Sequence, residues 1–200
     1  MKSILITGGA GDWAQSFYQQ FKNAFKISTP SRTELDISNE LSVNDYFKSH
    51  SFDIVINNAG TIHPKRILES DTHLWINDIQ VNLIGTYLTA KAALTKNPDT
   101  VIINISSTAA FNAYPDWSSY CASKAGVVTL SKCLAKDGFN SYCLCPGAIM
   151  TKFRDKFDLP NDNVLTCEDL SKHVLDIIDE KYTSGDILFV RKGEFILNPS

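Results

Sequence analysis

Tyr120 and Lys124 stand four residues apart in the run Tyr120-Cys121-Ala122-Ser123-Lys124, and Ser107 lies thirteen residues before the tyrosine. A phenol, an ammonium and a hydroxyl so spaced outline a site for proton transfer. The segment from Trp117 to Lys136 is rich in Ala, Leu, Val and Lys and reads as a helix, which sets Tyr120 and Lys124 one turn apart on the same face. A free tyrosine titrates near ~10, so a neighbouring cation and buried hydrogen bonds are the means of bringing a phenol into acid–base work near neutrality. The same pair also occurs on solvated helices, so the weight falls on what the rest of the chain places around it.

Ser3-Ile4-Leu5-Ile6-Thr7 reads as a buried strand that runs into Gly8-Gly9-Ala10-Gly11 and then a helical segment from Asp12 to Asn23. Glycines let the backbone turn sharply and approach a pyrophosphate, and the N–H groups of the first helical turn supply a positive pole. An ordinary tight turn would accept the same glycines. Lys26 to Arg32 reads as a second strand, ended by an arginine where a NAD site places an acid. An acid there bonds the ribose 2′-OH, whereas an arginine accommodates a 2′-phosphate, so NADP(H) is the expected nucleotide and NAD(H) the second choice. Glu34, two residues on, is itself placed to reach a ribose, and both charges also suit a plain solvated loop.

Phe52-Asp53-Ile54-Val55-Ile56 is another apolar run, ending in Asn57-Asn58-Ala59-Gly60, and Thr100 to Ile105 is a third, ending in Ser106-Ser107. Both suit strands of a parallel sheet buried on its two faces. Ligands of such sheets gather at the carboxyl ends of the strands, where Asn57 and Ser107 fall.

With these pieces in order, the chain resembles the short-chain dehydrogenase/reductase family, through Thr7-Gly8, Asn57-Asn58-Ala59-Gly60, Asn82, Ser107, Tyr120 to Lys124, and Pro146-Gly147 with Thr151. The resemblance covers residue 3 to about residue 151. It implies a single α/β domain over residues 1–200, a Rossmann-type doubly wound parallel sheet with helices on both faces. It implies that Tyr120 is the general acid or base, that Lys124 lowers its pKa and holds the nicotinamide ribose, and that Ser107 bonds the substrate carbonyl or alcohol. Ser106 would point the other way along an extended segment. Asn82, on the long helix around Thr72 to Leu94, would anchor a water in a proton relay. Thr7, Gly8, Gly11, Asp12 and Trp13 would hold the cofactor at the glycine loop, Arg32 its 2′-phosphate, and Asp36 its adenine. Asn57, Asn58, Ala59 and Gly60 would flank the adenosine ribose; Pro146, Gly147, Ile149 and Thr151 would line the nicotinamide.

Two departures stand out. The family pattern is Thr-Gly-x-x-x-Gly-x-Gly, and here Asp12 and Ala14 replace its second and third glycines. Alanine still permits close helix packing, but a carboxylate beside a pyrophosphate repels it unless turned aside, for instance to cap the helix. The second departure is length: few residues separate Arg32 from Asp36, leaving no room for a full helix, and only Lys152 to Leu165 remain for a short lid over the pocket.

A chain of 200 residues with 44% hydrophobic content can bury one good core, and its formal charge of −3 gives no field for nucleic acid. With the first strand at residue 3 and no long apolar run, a cytoplasmic protein without membrane contact is expected. Cys121, Cys133, Cys143, Cys145 and Cys167 read as reduced packing residues, the C-x-C pair included, and no metal site is expected; His63 reads as an exposed loop residue near the site rim. Phe111, Tyr114 and Trp117 fall where they would overhang the reacting carbon, as a wall for an apolar or ring-shaped substrate or as core and subunit contacts. The apolar faces of Thr72 to Leu94 and Trp117 to Ala135 suggest a homodimer or homotetramer. Ser184 to Val190 reads as the final strand, followed by a short tail.

The expected activity is thus NADP(H)-dependent interconversion of a carbonyl and a secondary alcohol on a small molecule. A nucleotide-binding regulatory or scaffold protein with little turnover is the rival, since fold alone never proves chemistry. A sugar-nucleotide epimerase or dehydratase would need a larger carboxyl-terminal domain than the residues after Thr151 supply.

Overall fold

Short β-branched runs separated by glycine turns and amphipathic segments build one sheet with helices on both faces. The computed structural model describes residues 1–154 and 163–199. In chain order the strands are β1 (Ser3–Ile6), β2 (Lys26–Ser28), β3 (Ile54–Asn57), β4 (Val101–Ile105), β5 (Ser141–Pro146), β6 (Ile187–Arg191) and β7 (Glu194–Leu197). The helices are α1 (Asp12–Phe21), α2 (Glu40–Ser49), α3 (Thr72–Ile79), α4 (Gly85–Lys96), α5 (Ser118–Lys136) and α6 (Cys167–Ile178). Strand order is β2-β1-β3-β4-β5-β6-β7. β1 to β6 pair in parallel, and β7 returns antiparallel along β6.

Alternation along each strand divides the core. Ile4, Ile6, Ile54, Ile56 and Leu144 pack with Trp13 and Phe17 of α1 and Leu170 and Val174 of α6. Leu5, Val55 and Ile102 pack with Val43 and Phe47 of α2 and Ala90 and Leu94 of α4. Side chains two apart share a face, so burial on both sides gives continuous apolar strands rather than alternating ones. Because β2 and β3 leave β1 on opposite sides, the carboxyl end of β1 is where the winding reverses, and a crevice opens there.

Several boundaries differ from expectation. β2 ends at Ser28, so Arg32 belongs to the loop beyond it, and no helix lies between β2 and Leu35. The long helix predicted around Thr72 to Leu94 is broken by a π turn over Gln80–Ile84. The tail after β6 is a seventh strand, which sequence alone did not suggest. The lid predicted over Lys152 to Leu165 falls largely on residues 155–162, outside the described residues; at its margins Ile149 and Leu165 pair as an isolated parallel bridge. Among the described residues no helix is long and apolar enough to cross a membrane.

Candidate active site

A cavity of about 890 Å³ runs along the carboxyl ends of the strands, from the glycine loop after β1 to the end of β6. At the first end Gly8 has φ of 68°, and a Cβ there would come within 2.8 Å of the Ala59 backbone. At Gly9 a Cβ would fall 2.3 Å from the Thr29 carbonyl. Both places require glycine, because the loop is pressed between the ends of β2 and β3. α1 begins with Gly11 as N-cap and has no side-chain cap, whereas Asn39 caps α2 and Thr166 caps α6. The first-turn N–H groups of α1 are therefore available to an anion.

Asp12 does not cap its own helix. Its Oδ2 accepts the Lys152 backbone N–H at 2.5 Å, tying the glycine loop to the segment after β5. Trp13 also lines the cavity, with its indole N–H on Ser171 Oγ at 3.1 Å. Thr7 needs correction: it is buried, it does not line the cavity, and its Oγ1 accepts the N–H groups of Asn58 and Ala59 at 3.0 and 3.1 Å. It clamps β1 to β3. Asn57 is likewise withdrawn into the sheet, where its Nδ2 donates to Asn104 Oδ1 at 2.8 Å. Asn58, Ala59 and Gly60 remain on the cavity wall.

Arg32 and Asp36 line the cavity together, paired at 3.3 Å, with Arg32 73% exposed. Burial pushes the Asp36 carboxyl up, but two bonds from Ser38 and the charge of Arg32 outweigh it and leave its pKa below the ordinary value. Glu34 turns the other way and accepts the N–H and hydroxyl of Ser31, both at 2.7 Å. The acid that competed with Arg32 for a ribose is thus engaged elsewhere.

The candidate proton-transfer group stands beyond the end of β4. Tyr120 and Lys124 lie on α5, with the Lys124 ammonium 5.6 Å from the Tyr120 ring centroid and donating to the Ile105 carbonyl at 2.9 Å. Lys124 is 4% exposed, and burial lowers its pKa to about 8. Burial raises Tyr120 to about 12, against which a hydrogen bond with Ser107 pulls down and the charge of Asp78 adds to the rise. Burial thus holds the phenol protonated in the ligand-free chain, with the Ser107 hydrogen bond pulling against it. Ser106 is buried with its hydroxyl on the Lys124 carbonyl at 2.8 Å, while Ser107 begins the 3-10 turn Thr108–Ala110 at the cavity wall.

Asn82 sits in the π turn with no exposure, behind the wall. Its amide accepts from Thr61 N–H at 2.7 Å and donates to the Thr61 carbonyl at 2.9 Å and Ser123 Oγ at 3.0 Å. Beside it is a group that sequence patterning did not flag. The carboxylate of Asp78, fully buried, accepts from Thr61 Oγ1 at 2.8 Å, His63 N at 3.0 Å, His63 Nδ1 at 2.8 Å and Ser119 Oγ at 2.7 Å. His63 is thus a bound residue rather than a free loop histidine. Asp78 and Asn82 together lock the loop after β3 to the turn of α5 that carries Tyr120.

The far wall holds Tyr114, Trp117 and Pro146 to Ile149, with Thr151 and Lys152. Trp117 meets the Tyr120 ring edge-on at 6.1 Å. Phe111 is turned away from the main cavity and packs edge-on against Phe189 at 5.8 Å, lining a smaller cavity of about 300 Å³. Arg191, at the end of β6, borders both cavities and was not anticipated. Cys143 and Cys145 face the core of β5, their sulfurs 3.7 Å apart.

Comparison with known proteins agrees with this arrangement. The family model described as short chain dehydrogenase matches residues 2–161. The 3-oxoacyl-(acyl-carrier-protein) reductase FabG of Aquifex aeolicus is 27% identical over 96% of this chain and 87% of its own length. Among solved structures, a small-chain dehydrogenase in complex with NADPH superposes with a TM-score of 0.86 at 21% identity, covering 96% of this chain and 97% of that one. A 3-ketoacyl-(acyl-carrier-protein) reductase from Brucella melitensis, complexed with NADH, gives 0.84 at 24% identity over 94% and 96% of the two chains. The chain belongs to the short-chain dehydrogenase/reductase family.

Proposed function

We propose that the protein is a NAD(P)(H)-dependent oxidoreductase, with NADP(H) favoured, that interconverts a carbonyl and a secondary alcohol on a small molecule. One observation carries the reading: an uncapped helix N-terminus with an arginine beside it occupies one end of a cavity whose middle is lined by Ser107, Tyr120 and Lys124. The residues present fit a dinucleotide. The first turn of α1 would take its diphosphate, Arg32 a 2′-phosphate, Asp36 the adenine, and Pro146, Gly147, Ile149 and Thr151 the nicotinamide end. NADPH- and NADH-bound relatives of the same fold support this choice.

The nicotinamide, when bound, supplies or accepts the hydride. The chain handles the proton. In the reducing direction Ser107 bonds the carbonyl oxygen, and Tyr120, kept protonated by a pKa of about 12, delivers its proton as that oxygen becomes alkoxide. Lys124, with a pKa of about 8, is mainly charged at neutral pH and opposes the negative charge left on the phenol. In oxidation the same proton travels back. Asn82 and Asp78 act by position, holding the wall of the site in one geometry.

Ile76 of α3, Ile84 of the π turn and Tyr87 of α4 are exposed, which supports pairing of this face in a homodimer or homotetramer. The nucleotide assignment is tested by titrating NADPH and NADH on protein freed of nucleotide. Selective NADPH binding is expected; binding of neither removes the assignment and favours a scaffold role.

A further inference from the structure

Arg191 has no part in the chemistry above, yet it lines the main cavity as well as the smaller one beside it. Its aliphatic stem packs near Gly147, where a Cβ would come within 3.2 Å of Arg191 Cγ. The guanidinium lies over the Phe189 ring, 5.0 Å from its centroid, and Phe189 is braced by Phe111. A cation–π contact of this kind leaves the N–H donors unused. Among the described residues the carboxylate partner of Arg191 is Glu194 on the exposed β7 edge, 4.0 Å away, too far for a hydrogen bond. The guanidinium at the border of the cavity thus meets, among the described residues, an aromatic ring and a carboxylate at 4.0 Å.

The sheet shows which anion it is not. Four strand steps separate β1 from β6, about 19 Å at ~4.8 Å per step, so Arg191 is out of reach of a diphosphate held at the glycine loop. β4, whose end carries Ser107, is two steps away, about 10 Å. That is the span of a small molecule with its carbonyl at Tyr120 and a second polar group at its other end.

We infer that Arg191 is a specificity-determining residue, and that the substrate is a small oxo or hydroxy compound carrying an oxyanion, a carboxylate or a phosphate, which Arg191 binds at the β6 end of the cavity. This rests on the oxidoreductase reading of the site.

The test uses paired carbonyl compounds with NADPH: 2-, 3- and 4-oxo acids against their methyl esters, and dihydroxyacetone phosphate against dihydroxyacetone. The anionic members are expected to have kcat/KM at least tenfold above their neutral partners, through KM. In Arg191→Gln the anionic-to-neutral ratio should collapse at least tenfold, with Arg191→Lys between. Preference for the carboxylate pairs or for the phosphate pair separates the two sources of charge. Equal use of neutral and anionic partners, or an unchanged ratio in Arg191→Gln protein that still binds NADPH, overturns the inference. If no carbonyl is reduced, the oxidoreductase reading fails first. The same anions are then titrated onto NADPH-loaded wild-type and Arg191→Gln protein by thermal shift, where Arg191-dependent stabilisation upholds the anion site and its absence rejects it.

Discussion

The carboxylate of Asp12 accepts the backbone N–H of Lys152, so the residue that most disturbs the glycine loop also fastens that loop to the chain segment after β5. A charge beside the diphosphate position has been given a structural task. Asp12→Ala removes a repelling charge and a clip at once. The clip is solvent-exposed and worth about 1 kcal/mol, so the variant is expected to bind NADPH roughly fivefold more weakly, measured by fluorescence titration. Tighter binding would show that Asp12 acts only by repulsion.

Arg32 is the residue proposed to set nucleotide choice. With Glu34 committed to Ser31, Arg32→Ala should weaken NADPH by tenfold or more and leave NADH within about threefold. Equal losses for both would separate Arg32 from the 2′-phosphate.

Asp78 is a buried carboxylate with four donors. Asparagine at that place turns an amide N–H₂ toward groups that donate, so Asp78→Asn should lower stability by roughly 2–4 kcal/mol in urea denaturation. A change below about 0.5 kcal/mol would mean that water replaces these bonds at little cost.

Lys124 makes the stability of the ligand-free protein depend on pH. Burial lowers its pKa from its ordinary 10.5 to about 8, so across that window the unfolded chain holds a proton that the folded chain has lost. Stability must then rise with pH there, by about 2 kcal/mol between about pH 7.5 and 9.5. Urea denaturation of wild type and Lys124→Met isolates this contribution, since the variant lacks it. Parallel curves would show that the ammonium is not desolvated.

The central strands and the placement of Tyr120 and Lys124 one turn apart on α5 were legible because each depends on local pattern: apolar runs ending in Asn58 or Ser107, and a helical run through both residues. What escaped depends on partners distant in sequence. Thr7 reads as a cofactor contact, but in the fold the N–H groups after β3 take its hydroxyl, and Asp78 carries no local signal because Thr61, His63 and Ser119 enclose it only once the chain is folded. β7 was missed because Phe195, Ile196 and Leu197 follow β6 so closely that they read as a tail. Arg191 gained its place only when β6 joined the sheet beside β5. Spacing likewise shows the cation beside Tyr120 but not the burial that raises the phenol's pKa in the folded chain.

The most direct test of the account is reduction of a carbonyl compound by NADPH in wild type and Tyr120→Phe, with nucleotide affinity measured on the same samples. The account predicts a loss of at least a thousandfold in kcat with NADPH Kd within about threefold of wild type. Turnover by Tyr120→Phe at the wild-type rate would contradict it.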